Sequence, residues 1–321
     1  MTKLYPLKFK PILKEKIWGG HTLNYKSETL SKDTKIGESW ELSGVEGSVS
    51  IIEDGALKGE NLNSVLKTYN QDLVGVSNYK RFGNEFPLLI KFIDAKKNLS
   101  VQLHPDDTIA RAKHHCMGKT EMWYITKSDK GFIIADFKDK IDKGNYIKRV
   151  KDNTLQEALK YIDVEPDEVY FIAPGLIHAI GEGVMLAEIQ QTSDITYRIY
   201  DWNRVDDEGN TRELHQQEAL DAIDFTSKEP KVDYDNKNNT LNKVVHNTYF
   251  KTDFLPVESY CKIDLSEKDS FSILMNVGPD ADLQCDGKSY TFKNYETFLI
   301  PAVISQVELK VKAGKFLVVH I

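Results

Sequence analysis

Cysteine is scarce in this 321-residue sequence, with Cys116, Cys261 and Cys285 the three present. Their number is odd and no Cys-x-x-Cys occurs, which argues against a disulfide framework and against a thiolate zinc site. Any metal must then be held by nitrogen and oxygen. Long apolar runs are missing too: none reaches the roughly 18 residues that a membrane span needs. The opening stretch, "MTKLYPLKFKPILKEKIWGG", carries lysines throughout, where a secretory signal would carry its apolar segment. The expectation is a cytoplasmic chain with no signal peptide. Positive charge is in deficit, with 42 Lys and Arg against 49 Asp and Glu and a net charge of −7. That balance disfavours nonspecific binding to nucleic acid or anionic lipid, so neither partner is expected. An anionic substrate would need a local cationic pocket. No simple repeat in the 20–50 residue range is apparent.

What is present is mostly strand-like. Runs such as "FPLLIKFIDA" (86–95), "LSVQLH" (99–104), "EMWYIT" (121–126), "GFIIADF" (131–137), "EVYFIAPG" (168–175), "VMLAEIQQ" (184–191) and "TYRIYDW" (196–202) are rich in β-branched and aromatic residues. Gly, Pro, Asn or Asp punctuates them. Helical patterns are few and short, at 61–70, 107–115, 154–162 and 214–223, the third opening with a Thr-x-x-Glu capping box. The stretch 227–240 is almost free of apolar residues and reads as a linker. Beyond it the pattern is all strand, with Asp286-Gly287 as a hairpin signal. Many short strands imply antiparallel sandwiches or jelly rolls, in two β modules. The boundaries expected are 1–226 for the larger, 227–240 for the connection and 241–321 for the smaller.

Polar residues interrupt the strand faces in a suggestive way. In "LSVQLHPDD", alternation puts Ser100, Gln102 and His104 on one face and Val101 and Leu103 on the other. "GKTEMWYIT" makes Lys119 and Glu121 co-facial if extended. His178 follows a Pro-Gly turn, Glu188 sits in an apolar strand, and Arg198 comes after the turn signal "TSD". Each has an ordinary explanation. The Lys-Glu pair could be a solvated ion pair, and Glu188 and Arg198 could form a salt bridge across a hairpin. His114 and His115 read as surface residues, and His21, His215, His246 and His320 lack ligand-like company. Taken together, two histidines, a glutamate and a glutamine from separate strands make an N/O set fit for a zinc-like divalent ion. Lys119 and Arg198 would then form a cationic pocket beside it.

From "KIWGG" and "GESWELS" through "PLLIKFIDAKKNLSVQLHPDD", "GKTEMWYI", "PGLIHAIGEG" and "EIQQTSDITYRIYDW", the chain resembles the type I mannose-6-phosphate isomerase family in its short bacterial form. The resemblance fades after about residue 226. It implies a mainly β, double-cupin fold with a few short helices and a degenerate second cupin. It also implies one Zn2+ per chain on Gln102, His104, Glu121 and His178. Ser100, Lys119, Glu188 and Arg198 fall in the implied substrate pocket.

The implied reaction interconverts mannose 6-phosphate and fructose 6-phosphate through a cis-enediol(ate), with Arg198, Lys119 and Glu188 as the candidate catalytic groups. The base role of Glu188 presumes that burial raises its pKa. Two other classes compete: an iron-dependent cupin oxygenase, against which the glutamine and the Lys/Arg pair argue, and a sugar-phosphate sensor that binds without turnover.

Overall fold

The computed structural model describes residues 2–31, 33–205, 208–226 and 229–321. They fall into two compact units, each drawn from separated stretches of chain. One comprises Met1–Ile12, Trp40–Ile90 and Val232–Ile321; the other comprises Leu13–Ser39 and Lys91–Lys231. This differs from a sequential partition at 226 and 241, because the first residues and the Trp40–Ile90 stretch cluster with the C-terminal strands. The stretch read as a linker contains the short strand Lys231–Val232. Its Ser227 and Lys228 lie outside the described residues.

The Leu13–Ser39/Lys91–Lys231 unit is built on two sheets. The smaller orders its strands as Tyr197–Tyr200, Val101–Leu103, His178–Ile180, Phe132–Phe137 and Leu159–Asp163. The larger is centred on Glu121–Ser128 and Val184–Gln191, with Val169–Ile172 on one side and Leu88–Ala95 on the other. The pairings across both are antiparallel, as a jelly roll requires.

Alternation decides what each face holds. Val101 and Leu103 join an apolar cluster with Tyr146, Leu155, Tyr197, Ile199 and Ala219. Tyr146 and Ala219 are contributed by the helices Lys143–Lys151 and Gln216–Ala222. A second cluster, including Trp18, Ile93, Trp123, Ile125, Ala135, Tyr170 and Leu186, fills the space between the sheets. Gln102, between Val101 and Leu103, therefore faces away from the helices.

Helices follow the sequence only in part. Leu62–Tyr69, Asp107–His114 and Gln216–Ala222 form where expected. Asp106 caps the second, its side chain accepting from the Ile109 amide at 2.8 Å. The expected helix at 154–162 is instead a 3₁₀ turn, Leu155–Ala158, followed by the strand Leu159–Asp163. Sheet pairing outweighs the capping signal here: Ile162 lies opposite Ile133 and Leu159 opposite Phe137. The helix Lys143–Lys151 was not anticipated, because Gly144 and Asn145 are poor helix formers. Its start is fixed by Asp142, which accepts from the Asn145 amide. No helix among the described residues is long and apolar enough to cross a membrane.

The other unit pairs a six-stranded with a four-stranded antiparallel sheet. Asp286 and Gly287, both at positive φ, make its tight hairpin, with Cys285 opposite Lys288. Its core holds Leu274, Leu283, Phe292, Phe298, Phe316 and Val318. Phe292 packs edge-on against Phe298, ring centroids 5.0 Å apart, and meets the tilted ring of Phe316 at 5.6 Å. Phe292→Ala should remove about 3–5 kcal/mol of stability, the usual cost of truncating a buried aromatic. A urea titration of the variant checks this; an unchanged midpoint would mean that the ring is not packed as described.

Candidate metal centre and active site

The inner faces of the two sheets of the Leu13–Ser39/Lys91–Lys231 unit bring the polar residues together. Register sets their neighbours. In the smaller sheet Gln102 lies opposite His178 on one side and Arg198 on the other. In the larger sheet Gln190 lies opposite Glu121, and Glu188 opposite Trp123.

His104, Glu121 and His178 form a compact buried group whose potential ligand atoms lie within 4.8 Å of one another. The histidine tautomers follow from their bonds. His104 Nδ1 donates to the Ile195 carbonyl and His178 Nδ1 to the Leu176 carbonyl, both at 2.9 Å. Each Nε2 is then left with a lone pair, and the two Nε2 atoms sit 3.2 Å apart. Glu121 places Oε2 3.5 Å from His104 Nε2 and Oε1 3.6 Å from His178 Nε2. Among the described residues neither carboxylate oxygen accepts a hydrogen bond. Acceptors thus converge on one point with too few donors, an arrangement that a cation satisfies.

Lys119 supplies the nearest positive charge. Its Nζ lies 3.0 Å from His104 Nε2 and 3.1 Å from Glu121 Oε2. Ser100 Oγ donates to Gln102 Oε1 at 3.2 Å, and the Gln102 amide nitrogen faces His178 Nε2 at 3.5 Å. Burial dominates the acid-base behaviour. It lowers His178 to about 4 and takes His104 well below the usual imidazole range, helped by the Lys119 charge. It pushes Glu121 up to about 7, and the neighbouring charge of Glu188 adds to the effect.

Glu188 behaves oppositely. Burial, the largest single influence, acts to raise its pKa, but the charges of Lys91 and Lys119 together with the Lys91 hydrogen bond outweigh it and the net shift is downward. Lys91 Nζ donates to Glu188 Oε2 at 2.8 Å and to Gln190 Oε1 at 2.6 Å, while Trp123 Nε1 donates to Glu188 Oε1 at 3.0 Å. The raised pKa presumed for a Glu188 base is therefore reversed by a partner that the sequence reading missed. The signal was present: Lys91 is a lone charge inside the apolar run "PLLIKFIDA".

The hairpin that could have paired Glu188 with Arg198 does not form, because the two residues belong to different sheets. The turn signal between them marks a sheet change instead. Arg198 Nη1 donates to the Glu213 carbonyl at 2.9 Å, and Arg198 Nε is buried with no acceptor among the described residues. His215, first given no chemistry, accepts from the Arg198 amide through Nδ1 at 3.1 Å.

Comparison with known proteins points to one family. The family "Phosphomannose isomerase type I, catalytic domain" matches residues 6–140. Mannose-6-phosphate isomerase ManA of Bacillus subtilis (strain 168) is 36% identical over 223 residues, covering 69% of each chain. The mannose-6-phosphate isomerase of Streptococcus mutans serotype c (strain ATCC 700610 / UA159) is 34% identical over 218 residues, covering 68% of this chain and 67% of that one. The crystal structure of the mannose 6-phosphate isomerase from Bacillus subtilis superimposes with a TM-score of 0.87 at 28% identity, covering 98% of this chain and 99% of that one. With a double-cupin architecture and relatives of this identity and coverage, the chain belongs to the type I phosphomannose isomerase family.

Proposed function

We propose that this chain is a cytoplasmic, zinc-dependent isomerase that interconverts mannose 6-phosphate and fructose 6-phosphate. One zinc ion per chain is held by Gln102, His104, Glu121 and His178. The observation that carries the reading is the convergence of two imidazole lone pairs and a fully buried carboxylate whose nearest cation is Lys119, at 3.1 Å from one of its oxygens. Neutral nitrogen and carboxylate oxygen without thiolate suit a zinc site that stays open to substrate. Ligation by Gln102 requires its amide turned over, which leaves the NH2 free to donate to Ser100 Oγ. When bound, the ion supplies Lewis-acid polarisation of the sugar oxygens.

The remaining work falls to the chain's own side chains. The isomerisation moves a proton between C2 and C1 by way of a cis-enediol(ate). Lys119, buried beside His104 and Glu121, is placed to exchange a proton with a sugar oxygen or to hold the negative charge. Arg198 stays charged at working pH even though burial lowers its guanidinium pKa. Its unpartnered Nε can donate to an oxygen as charge grows there. Ser100 offers a hydroxyl to the substrate. Glu188, kept ionised by Lys91, adds a fixed negative charge beside His178 and acts as a proton acceptor only weakly.

The reading is tested by a coupled assay for fructose 6-phosphate formation with elemental analysis in parallel. Native protein should carry about one equivalent of zinc and lose turnover on chelation. His104→Ala and His178→Ala should each lose most of the metal. Full activity after complete metal removal would refute the metal dependence.

The pH dependence of metal binding follows from the shifts. In the folded, metal-free chain His178 and His104 are already neutral near pH 7, so the proton that competes with the ion sits on Glu121. Affinity should fall about tenfold per pH unit below pH 7, with one proton released per ion bound. Glu121→Gln should flatten that slope. Calorimetry in buffers of different ionisation enthalpy counts the protons; release of two would return the linkage to the imidazoles. Stability of the metal-free form responds in two opposed ways. His178 costs stability as pH falls from 6.5 towards 4, and Glu121 costs it as pH rises from 4.5 towards 7.

Arg198→Ala should retain zinc and fold and lose on the order of 10²–10³ in kcat, the scale of a lost oxyanion donor. Steady-state kinetics separates the alternatives. A large rise in KM at constant kcat would make Arg198 a phosphate-binding residue instead.

A further inference from the structure

We infer that Asp107 and Gln191 are positioning residues that fix Lys119 through its backbone. The inference rests on the reading of Lys119 as a group that acts on the substrate. Lys119 lies in the irregular segment just before the strand Glu121–Ser128, so sheet pairing does not hold it. Three successive amides there are each taken by a dedicated acceptor. The Gly118 amide donates to Asp107 Oδ1 at 2.8 Å, the Lys119 amide to the Pro105 carbonyl at 3.1 Å, and the Thr120 amide to Gln191 Oε1 at 2.9 Å. The two side chains are also joined to each other: Gln191 Nε2 donates to the same Asp107 Oδ1 at 3.0 Å. Gln191 is tied in turn through its own amide, which donates to the Thr120 carbonyl at 3.2 Å.

Asp106 and Asp107 therefore have different tasks. Asp106 caps the helix, and Asp107, one residue on, reaches back to the segment that carries Lys119. The approach is close enough to demand glycine at 118, where a Cβ would sit 2.5 Å from the Asp107 amide nitrogen. A lysine side chain is flexible, so fixing its backbone limits how far Nζ can wander from His104 and Glu121. Displacements of about 1 Å in a reacting group cost on the order of 10²-fold in rate.

The test compares Asp107→Ala, Asp107→Asn, Gln191→Glu and Lys119→Met, with the first and third also made in the Lys119→Met background. Zinc content, kcat and KM are measured for each. Asp107→Ala should keep its zinc and lose about 10- to 100-fold in kcat with KM changed only a few-fold. Asp107→Asn, which keeps an acceptor oxygen, should recover most of the loss. In the Lys119→Met background the Asp107→Ala change should cost less than about twofold, because the residue it positions is gone. Gln191→Glu keeps the tie to Thr120 and breaks the tie to Asp107, so it serves if Asp107→Ala does not fold; it should show a smaller kcat loss that also vanishes with Lys119→Met. Unimpaired kcat in Lys119→Met overturns the role of Lys119, and the positioning inference with it. An impaired Lys119→Met with a fully active Asp107→Ala overturns the positioning inference alone, as does an equal Asp107→Ala loss in both backgrounds.

Discussion

A carboxylate with no solvent exposure, set between two imidazoles whose Nδ1 protons are already donated to carbonyls, needs positive charge brought to it. Removing one partner of a buried charge pair costs about 3–5 kcal/mol, so such a group persists only with a cation nearby. Lys119 meets part of the demand at 3.1 Å from Glu121 Oε2, yet neither oxygen accepts a hydrogen bond among the described residues. The consequence is a Glu121 carboxyl pushed up to about 7 by its burial.

The same sandwich holds a second buried carboxylate with the opposite fate. Glu188 receives Lys91 on one oxygen and Trp123 on the other, and its pKa falls despite equal burial. Trp123 also stands edge-on to His178, ring centroids 5.4 Å apart, so the satisfied carboxylate borders the ligand group. Two carboxylates whose surroundings drive their pKa values apart divide the roles between them. The completed pair supplies permanent charge, and the incomplete one is available for coordination.

Much of this was legible in the sequence, for stated reasons. Period-two alternation placed Gln102 and Ser100 on one face because Val101 and Leu103 bury against the helices on the other. Asp286-Gly287 announced its hairpin because few other pairs tolerate two successive positive φ values. Tertiary pairing was harder to read. A turn between Glu188 and Arg198 looks the same whether the chain folds back on itself or crosses to another sheet, and here it crosses. The helical pattern at 154–162 yielded to strand pairing with Phe132–Phe137. Lys91 went unread because its partners, Glu188 and Gln190, lie about a hundred residues away.

Strands and loops share the work of placing these side chains. Gln102, Glu121 and His178 project from paired strands, where a one-residue slip would turn them into the opposite face, so register decides which way they face. Lys119 has no such constraint; neither does the guanidinium of Arg198, which lies at the end of a long side chain. The backbone around each is tied by bonds from outside its own strand pairing. Glu213 and His215 hold Arg198, while Asp107, Pro105 and Gln191 hold the backbone around Lys119. Gln102, Glu121 and His178 are thereby set by the sheets, His104 lies one residue beyond its strand, and Lys119 is tethered in the irregular segment before the strand that carries Glu121.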